Sequence, residues 1–315
     1  MKWLVTGGAG YIGSHVVEAF LADNQEVIVL DSLTTGSKDI LSKDVHIEVV
    51  DIRNESKIES IFRENRIDGV IHLAALKSVS NSITNPLEYN QVNFEGTKNI
   101  LSACEKFNVL NFVQSSSAAV YGNVKSGYAK ETDPLQPLSP YGLSKVNAER
   151  ALEEYVSKSI VLGTSLRFFN VIGAAQRKLR DKSQDNLIPL VLNSIKNNKS
   201  PVIFGDMYPT HDGTCIRDYV HVEDIANAHL LVAKNLSSRR VSTAINIGTG
   251  RGYSVREVIS EILEQTKSSL KPLVTEPREG DPAILVANTD RAKSEVGFGT
   301  KSTFKEMIAS SIIDR

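Results

Sequence analysis

Val5-Thr-Gly-Gly-Ala-Gly-Tyr-Ile-Gly13 decides how this chain is read. It follows the apolar run Trp3-Leu-Val, which reads as a strand, and it opens the helical pattern Ile12–Asp23. Glycines at 7, 10 and 13 give the Gly-x-x-Gly-x-x-Gly spacing of a dinucleotide loop. Gly7 allows the tight turn, Gly10 lets backbone approach a pyrophosphate, and Gly13 lets helix and strand pack closely. The helix N-terminus then offers amide donors to phosphate. Glycines alone also occur in ordinary turns; the strand before and the helix after are what make this loop a dinucleotide site.

Working outward, Glu26–Asp31, His46–Asp51, Gly69–Ala75, Asn111–Ser115 and Val161–Asn170 read as further strands. Glu55–Asn65, Val92–Phe107 and a segment starting near Ser139 read as helices between them. Near-continuous apolar strands alternating with helices predict an α/β fold, a Rossmann-like doubly wound parallel sheet. From about Arg177 six prolines between 189 and 282 break up shorter elements, with helices expected at Leu187–Asn197, Val222–Leu236 and Val255–Gln265. The expected organisation is a dinucleotide-binding domain over 1–176 and a smaller interleaved α/β substrate domain over 177–315. The chain is expected to rejoin the first domain near 220–250, where Ala244–Gly248 reads as a sheet strand.

Composition narrows the function classes. The 315 residues are 41% hydrophobic and 23% charged, with a net charge of -1 and no long block of one sign. Nucleic acid and anionic membrane are therefore poor partners. No signal-peptide pattern or membrane-length apolar run stands out, and the expected compartment is the reducing cytoplasm. Cys104 and Cys215 are distant in sequence and read as reduced, buried residues. His15, His72, His211, His221 and His229 lack metal-ligand spacing, so no metal is expected, and His72 reads as packing at a strand end.

Two acidic residues extend the cofactor site. Asp31 ends the second strand, where a carboxylate binds ribose hydroxyls and repels a 2′-phosphate, favouring NAD over NADP; the competing reading is a cap or surface acid. Asp51 and Ile52 are placed to meet adenine, against the plainer reading of a turn aspartate. Tyr141 and Lys145 stand four apart in Ser139-Pro-Tyr-Gly-Leu-Ser-Lys145. Sharing a helix face, the ammonium is expected to stabilise a phenolate and lower the tyrosine pKa from about 10, making a base for a hydroxyl proton. Such a pair also occurs by chance on solvated helices. Ser117 ends the strand that begins at Asn111, where open α/β sheets bind ligands.

Taken together, Val5–His15, Asp51–Asn54, Ile71–Lys77, Ser115–Gly122, Ser139–Lys145 and Arg167–Asn170 resemble the extended short-chain dehydrogenase/reductase family. Tyr208-Pro-Thr-His-Asp-Gly-Thr214, Arg217-Asp-Tyr-Val-His-Val222 and Arg278-Glu-Gly-Asp-Pro282 resemble, within it, the UDP-glucose (UDP-galactose) 4-epimerases. The resemblance spans nearly the whole chain. It implies Tyr141 as base, Lys145 on the nicotinamide ribose and Ser117 on the sugar hydroxyl. Tyr11, Ile12, Ala74, Lys77 and Asn93 would border the cofactor. Asn170, Asn186, Leu187 and Phe204 would line the sugar-nucleotide site, with Arg217 and Arg278 on the diphosphate and Asp281 on the uridine ribose. Each arginine alone reads as a surface salt bridge; two planar donor forks suit a pyrophosphate.

The implied reaction oxidises C4 transiently with tightly bound NAD, frees the keto sugar to turn about its diphosphate link, and returns the hydride. Related 4,6-dehydratases carry an acid and a carboxylate directly after the active-site hydroxyl residue, where this chain has Ala118 and Ala119, so elimination is disfavoured. UDP-N-acetylglucosamine epimerisation stays open at Leu285, seven beyond Arg278, whose other reading is a core leucine. A UDP-glucuronate 4-epimerase and a non-catalytic NAD-binding module are the remaining alternatives. The resemblance also implies a homodimer through the helix Val92–Phe107 and the one starting near Tyr141.

Overall fold

The computed structural model describes residues 1–238, 241, 243–278 and 280–312. Glu279, within the Arg278–Pro282 segment, lies outside the described residues. Seven parallel strands form the main sheet: β1 (Lys2–Thr6), β2 (Glu26–Asp31), β3 (His46–Val49), β4 (Gly69–His72), β5 (Asn111–Ser117), β7 (Leu162–Phe168) and β11 (Ala244–Ile247), in the order β11-β7-β5-β4-β1-β2-β3. The order reverses direction between β1 and β4, and an open sheet of this kind binds ligands beyond the carboxyl ends of such strands. One face is covered by α1 (Tyr11–Ala22) and α8 (Val222–Asn235), which share a core with Trp3, Val5, Val29, Ile71 and Val113. On the other face, α2 (Glu55–Glu64), α5 (Gly96–Phe107) and α6 (Pro140–Ser157) pack on Leu4, Ile28, Val70 and Phe112. Burial on both faces accounts for the unbroken apolar strand runs.

A second sheet of five strands comprises β6 (Tyr128–Ala129), β8 (Asn170–Ile172), β10 (Ile216–His221), β12 (Gly252–Ser254) and β14 (Ile284–Ala287). Its core, with Ile188, Ile203, Tyr219 and Ile259, involves α7 (Leu187–Lys196), α9 (Val255–Gln265) and α11 (Phe304–Ser311). The pair β9 (Val202–Phe204) and β13 (Leu273–Thr275) completes this half, whereas the helix α10 (Asp290–Val296) joins the main-sheet core through Ala292 and Val296. The 161–170 stretch is two strands rather than one. β7 ends at Phe168 in the main sheet, and β8 starts at Asn170 against Tyr219 of β10. Asp218 of β10 pins the later crossing from β11 to β12: its buried carboxylate accepts from the backbone of Thr249, Gly250 and Ala287.

The stretch expected as one helix over 92–107 also differs. The short α3 (Val79–Thr84) and α4 (Pro86–Asn90) lead into a π turn at Gln91–Glu95 before α5. π turns often mark functional sites. Here Asn93 lies in the widened turn and its side chain reaches out of the helix, as described below.

Candidate active site

Pro140 opens α6 at a position that needs no amide donor, and the Ser139 side chain accepts from Gly142 N at 3.1 Å. This start presents Tyr141 and Lys145 to the end of β5. The Tyr141 hydroxyl lies beside the Ser117 side chain, and its ring meets Tyr89 edge-on at 6.4 Å. Lys145 is buried, and its Nζ donates to the Ser115 carbonyl at 3.1 Å. The three residues expected to act together are thus adjacent.

Their electrostatics depart from the simple expectation. Burial raises the Tyr141 pKa above 10, Ser117 opposes it, and Tyr89 adds to the rise. Burial also lowers Lys145 to about 8, against the attraction of Glu149. In the protein by itself, desolvation of the phenolate outweighs the lowering effect of Ser117.

The glycine loop passes a test for a dinucleotide. Gly7 has φ +70°, and a Cβ there would stand 2.7 Å from Ala74 N. A Cβ on Gly13 would lie 2.1 Å from Gly7 O, whereas one on Gly10 would meet only that oxygen, at 3.2 Å. Gly10 thus faces open space at the start of α1, where no side chain caps the helix. The loop therefore offers uncapped amides to a pyrophosphate. Asp31 binds the same loop, accepting from Ala9 N at 3.0 Å and from Leu33 N at 2.8 Å. Asp51 is held by Arg53, with Nη2 to Oδ2 at 2.5 Å. Ile52 is buried and lies where a side chain on Gly96 would have to go.

Asn93 is fully engaged. Its amide brackets Leu76, accepting from the backbone nitrogen at 2.8 Å and donating to the carbonyl at 2.9 Å, and it also donates to Ser144 Oγ at 2.9 Å. It ties the segment before Lys77 to α6. His72 does more than pack: its nitrogens bond Thr6 at 2.8 Å and Thr97 at 2.9 Å, and burial holds its pKa at about 3. Among the described residues no group of three or more His, Cys, Asp or Glu is placed to hold a metal ion. Among them, too, no helix is long and apolar enough to cross a membrane.

Between the two sheets lies a cleft of about 620 Å³, a size ordinary for a small-molecule site. Tyr11, Ile12, Lys77, Ser117, Ala118, Ala119 and Tyr141 line its sheet side. Asn170, Asn186, Leu187, Phe204, Arg217, Arg278, Asp281 and Leu285 line the other. Gly7, Gly10, Gly13, Asp31, Asp51, Ile52, Ala74, Asn93 and Lys145 lie outside this lining. Arg217 is fixed by the carbonyls of Pro282 (2.6 Å) and Ile216 (2.9 Å) and meets Asp281 at 3.3 Å. Strand register sets Leu285 beside Arg217. The Arg278 guanidinium stands 4.0 Å from the Phe204 ring centre.

Some participants were not found in the sequence. Asp181 accepts from Asn186 Nδ2 at 2.5 Å and from Ser183 N at 2.9 Å, and meets Lys77 Nζ at 3.6 Å. It is one of several acids in a polar loop, which gives no signal. Behind Lys145, Glu149 and Arg167 form a buried ion pair at 2.6 Å. Here a signal existed: Arg167 interrupts the apolar run Leu166–Phe169, and a charge at such a position needs a buried partner.

The comparisons with known proteins agree with this geometry. A model of the NAD dependent epimerase/dehydratase family matches residues 3–248. The chain belongs to that family. Among its relatives, the UDP-glucose 4-epimerase of Halalkalibacterium halodurans is 40% identical, over 96% of this chain and 91% of the relative. A solved UDP-glucose-4-epimerase from Stenotrophomonas maltophila, with bound NAD and formylated UDP-arabinopyranose, superposes with a TM-score of 0.94 at 34% identity, covering 99% of this chain and 96% of its own. The UDP-Glc/GlcNAc 4-epimerase of Campylobacter jejuni gives 0.86 at 33%, covering 99% and 98%. The family match and the parallel sheet agree with the dinucleotide cofactor and the Rossmann-like fold read from Val5–Gly13.

Proposed function

We propose that this chain is an NAD-dependent UDP-glucose 4-epimerase, interconverting UDP-galactose and UDP-glucose. One observation carries the reading: the hydroxyls of Ser117 and Tyr141 and two arginines, Arg217 and Arg278, face the same cleft. A base at one end and a diphosphate clamp at the other suit a sugar joined to a nucleotide. Bound NAD supplies the hydride acceptor and the positive charge of its nicotinamide ring.

Tyr141 takes the proton of the sugar 4-hydroxyl, and Ser117 holds that hydroxyl in line. Lys145 orients the nicotinamide ribose and supports the phenolate. Gly7, Gly10 and Gly13 admit the pyrophosphate to the amides of Tyr11 and Ile12, with Asp31 on the ribose and Asp51 and Ile52 at the adenine. Ala74, Lys77 and Asn93 shape the nicotinamide end. Across the cleft, Arg217 and Arg278 hold the diphosphate, Phe204 and Asp281 the uridine, and Asn170, Asn186 and Leu187 the remaining polar and apolar edges. Firm anchoring through the diphosphate lets the keto sugar turn about that link and take hydrogen on its other face. Ala118 and Ala119 line the cleft beside Ser117 and move no proton, so water is not eliminated.

Residues 1–176, with the return near 220–250, form the cofactor domain, and 177–315 mainly the UDP-sugar domain. The reading includes a cytoplasmic homodimer through α5 and α6; Leu143 on α6 and Leu87 on α4 expose apolar area.

The test follows C4 inversion of UDP-galactose, UDP-N-acetylgalactosamine and UDP-glucuronate, each incubated without added NAD. UDP-galactose is expected to convert. Conversion of the N-acetyl sugar as well would make Leu285 a permissive position, and conversion of the uronate alone would replace the substrate. Inversion of none of the three sinks the proposal and leaves an NAD-binding protein without this activity.

A further inference from the structure

α6 carries Tyr141, Lys145 and Glu149 at four-residue intervals, so the three share one face. Three consecutive residues of β5 meet that face. Ser117 lies beside Tyr141, the Ser115 carbonyl accepts from Lys145, and the Ser116 hydroxyl donates to Glu149 Oε1 at 2.5 Å. Glu149 is 1% exposed. Arg167 of β7 grips it with Nε at 3.0 Å and 3.2 Å and with Nη2 at 2.6 Å. The guanidinium also donates to the Tyr121 hydroxyl at 2.9 Å, and that hydroxyl donates to Asn246 at 2.6 Å.

A buried ion pair of this kind is a weak source of stability, because desolvation offsets much of the attraction and well-packed apolar groups do as well. Its place one turn behind Lys145 gives it a different use. We propose that Glu149, clamped by Arg167 and Ser116, is a positioning residue that keeps the Lys145 ammonium charged and aimed at the end of β5. The titratable groups around Lys145 are His72 from β4, Tyr141 and Glu149 from its own helix, and Arg167 from β7 beyond Glu149. His72 is neutral, its pKa held at about 3 by burial. Arg167 is always charged; burial disfavours that charge, and the bonds to Glu149 more than restore it. Glu149 supplies the negative charge of the set, and it opposes the burial that lowers Lys145 to about 8.

The inference rests on Lys145 serving the proposed reaction, but its test does not need turnover. Lysine-labelled protein, with the Lys145 signal assigned by Lys145→Met, is titrated by NMR between about pH 6 and 10. Glu149→Gln is expected to lower the Lys145 midpoint by about one unit or more. Glu149→Gln/Arg167→Gln, which orphans neither charge, is expected to lower it by less, and the alkaline fall of UDP-galactose turnover moves the same way. A merely structural pair would leave the midpoint where it stands. An unmoved midpoint in the folded double variant, or a double variant that does not fold, overturns the proposal. A displaced midpoint in a protein whose wild type epimerises nothing keeps the charge assignment and sinks the epimerase reading instead.

Discussion

The two walls of the cleft are built differently. Directly behind the sheet-side lining, Lys145, His72, Asn93 and Glu149 are buried, and each is bonded to protein from another segment. On the far side, Asn170 and Asn186 are exposed, Arg278 lies over Phe204, Asn186 bonds Asp181, and Arg217, held by two backbone carbonyls, also meets Asp281. The first wall is preorganised, as chemistry at a fixed atom requires. The second exchanges its own contacts for those of a ligand, as binding and release require.

Substituting one group on each wall separates these roles. Tyr141→Phe removes the proton acceptor and little volume. It is expected to lower kcat by about 10³-fold or more, within the range for a general base, with bound NAD and the melting temperature unchanged. Near-normal turnover would remove Tyr141 from the chemistry. Arg278→Leu is expected to raise the KM for UDP-galactose by roughly 10- to 100-fold, the worth of a charge-assisted bond to phosphate, at nearly constant kcat. A fall in kcat alone would mean the far wall also acts in the chemical step.

How far this contrast was legible depends on the range over which each part is encoded. The glycine loop, Asp31 and the Tyr141–Lys145 pair are local patterns whose chemistry fixes their spacing, so the cofactor half could be read directly. The far wall draws on 170, 186, 204, 217, 278 and 285, and only resemblance grouped them. Residues 161–170 read as one apolar run because burial, not sheet membership, sets composition; nothing local tells the chain to change sheets at Phe169. The Tyr141 environment was the hardest, since the burial that raises its pKa comes from packing in three dimensions.

Acid should also act more on the sheet side. His72 and His229 are buried with pKa values of about 3 and 4, both lowered first by desolvation. The unfolded chain binds their protons near pH 6.5 and the folded protein does not, so stability is full above about 6.5 and is lost as pH falls toward 4. Each contributes a slope of up to about 1.4 kcal/mol per pH unit in that window. His229→Leu is expected to halve the fall in unfolding free energy between about pH 6.5 and 5 if these two histidines dominate it. An unchanged slope in denaturant titrations would assign the acid sensitivity to the other lowered histidines, His15 and His221.

The smallest expected effect tests the exchange of contacts most directly. Asp181 holds Lys77, from the sheet side, and Asn186, from the far side, and both are proposed ligand contacts. A ligand that uses them must first draw them from the carboxylate. Asp181→Asn keeps the size and one acceptor oxygen but removes the charge that attracts Lys77. With a half-exposed pair worth about 1 kcal/mol or less, the KM for UDP-galactose is expected to fall by a few-fold, with kcat unchanged. A rise in KM would mean that Asp181 arranges these two groups for the ligand rather than competing with it, and the far wall would then be preorganised as well.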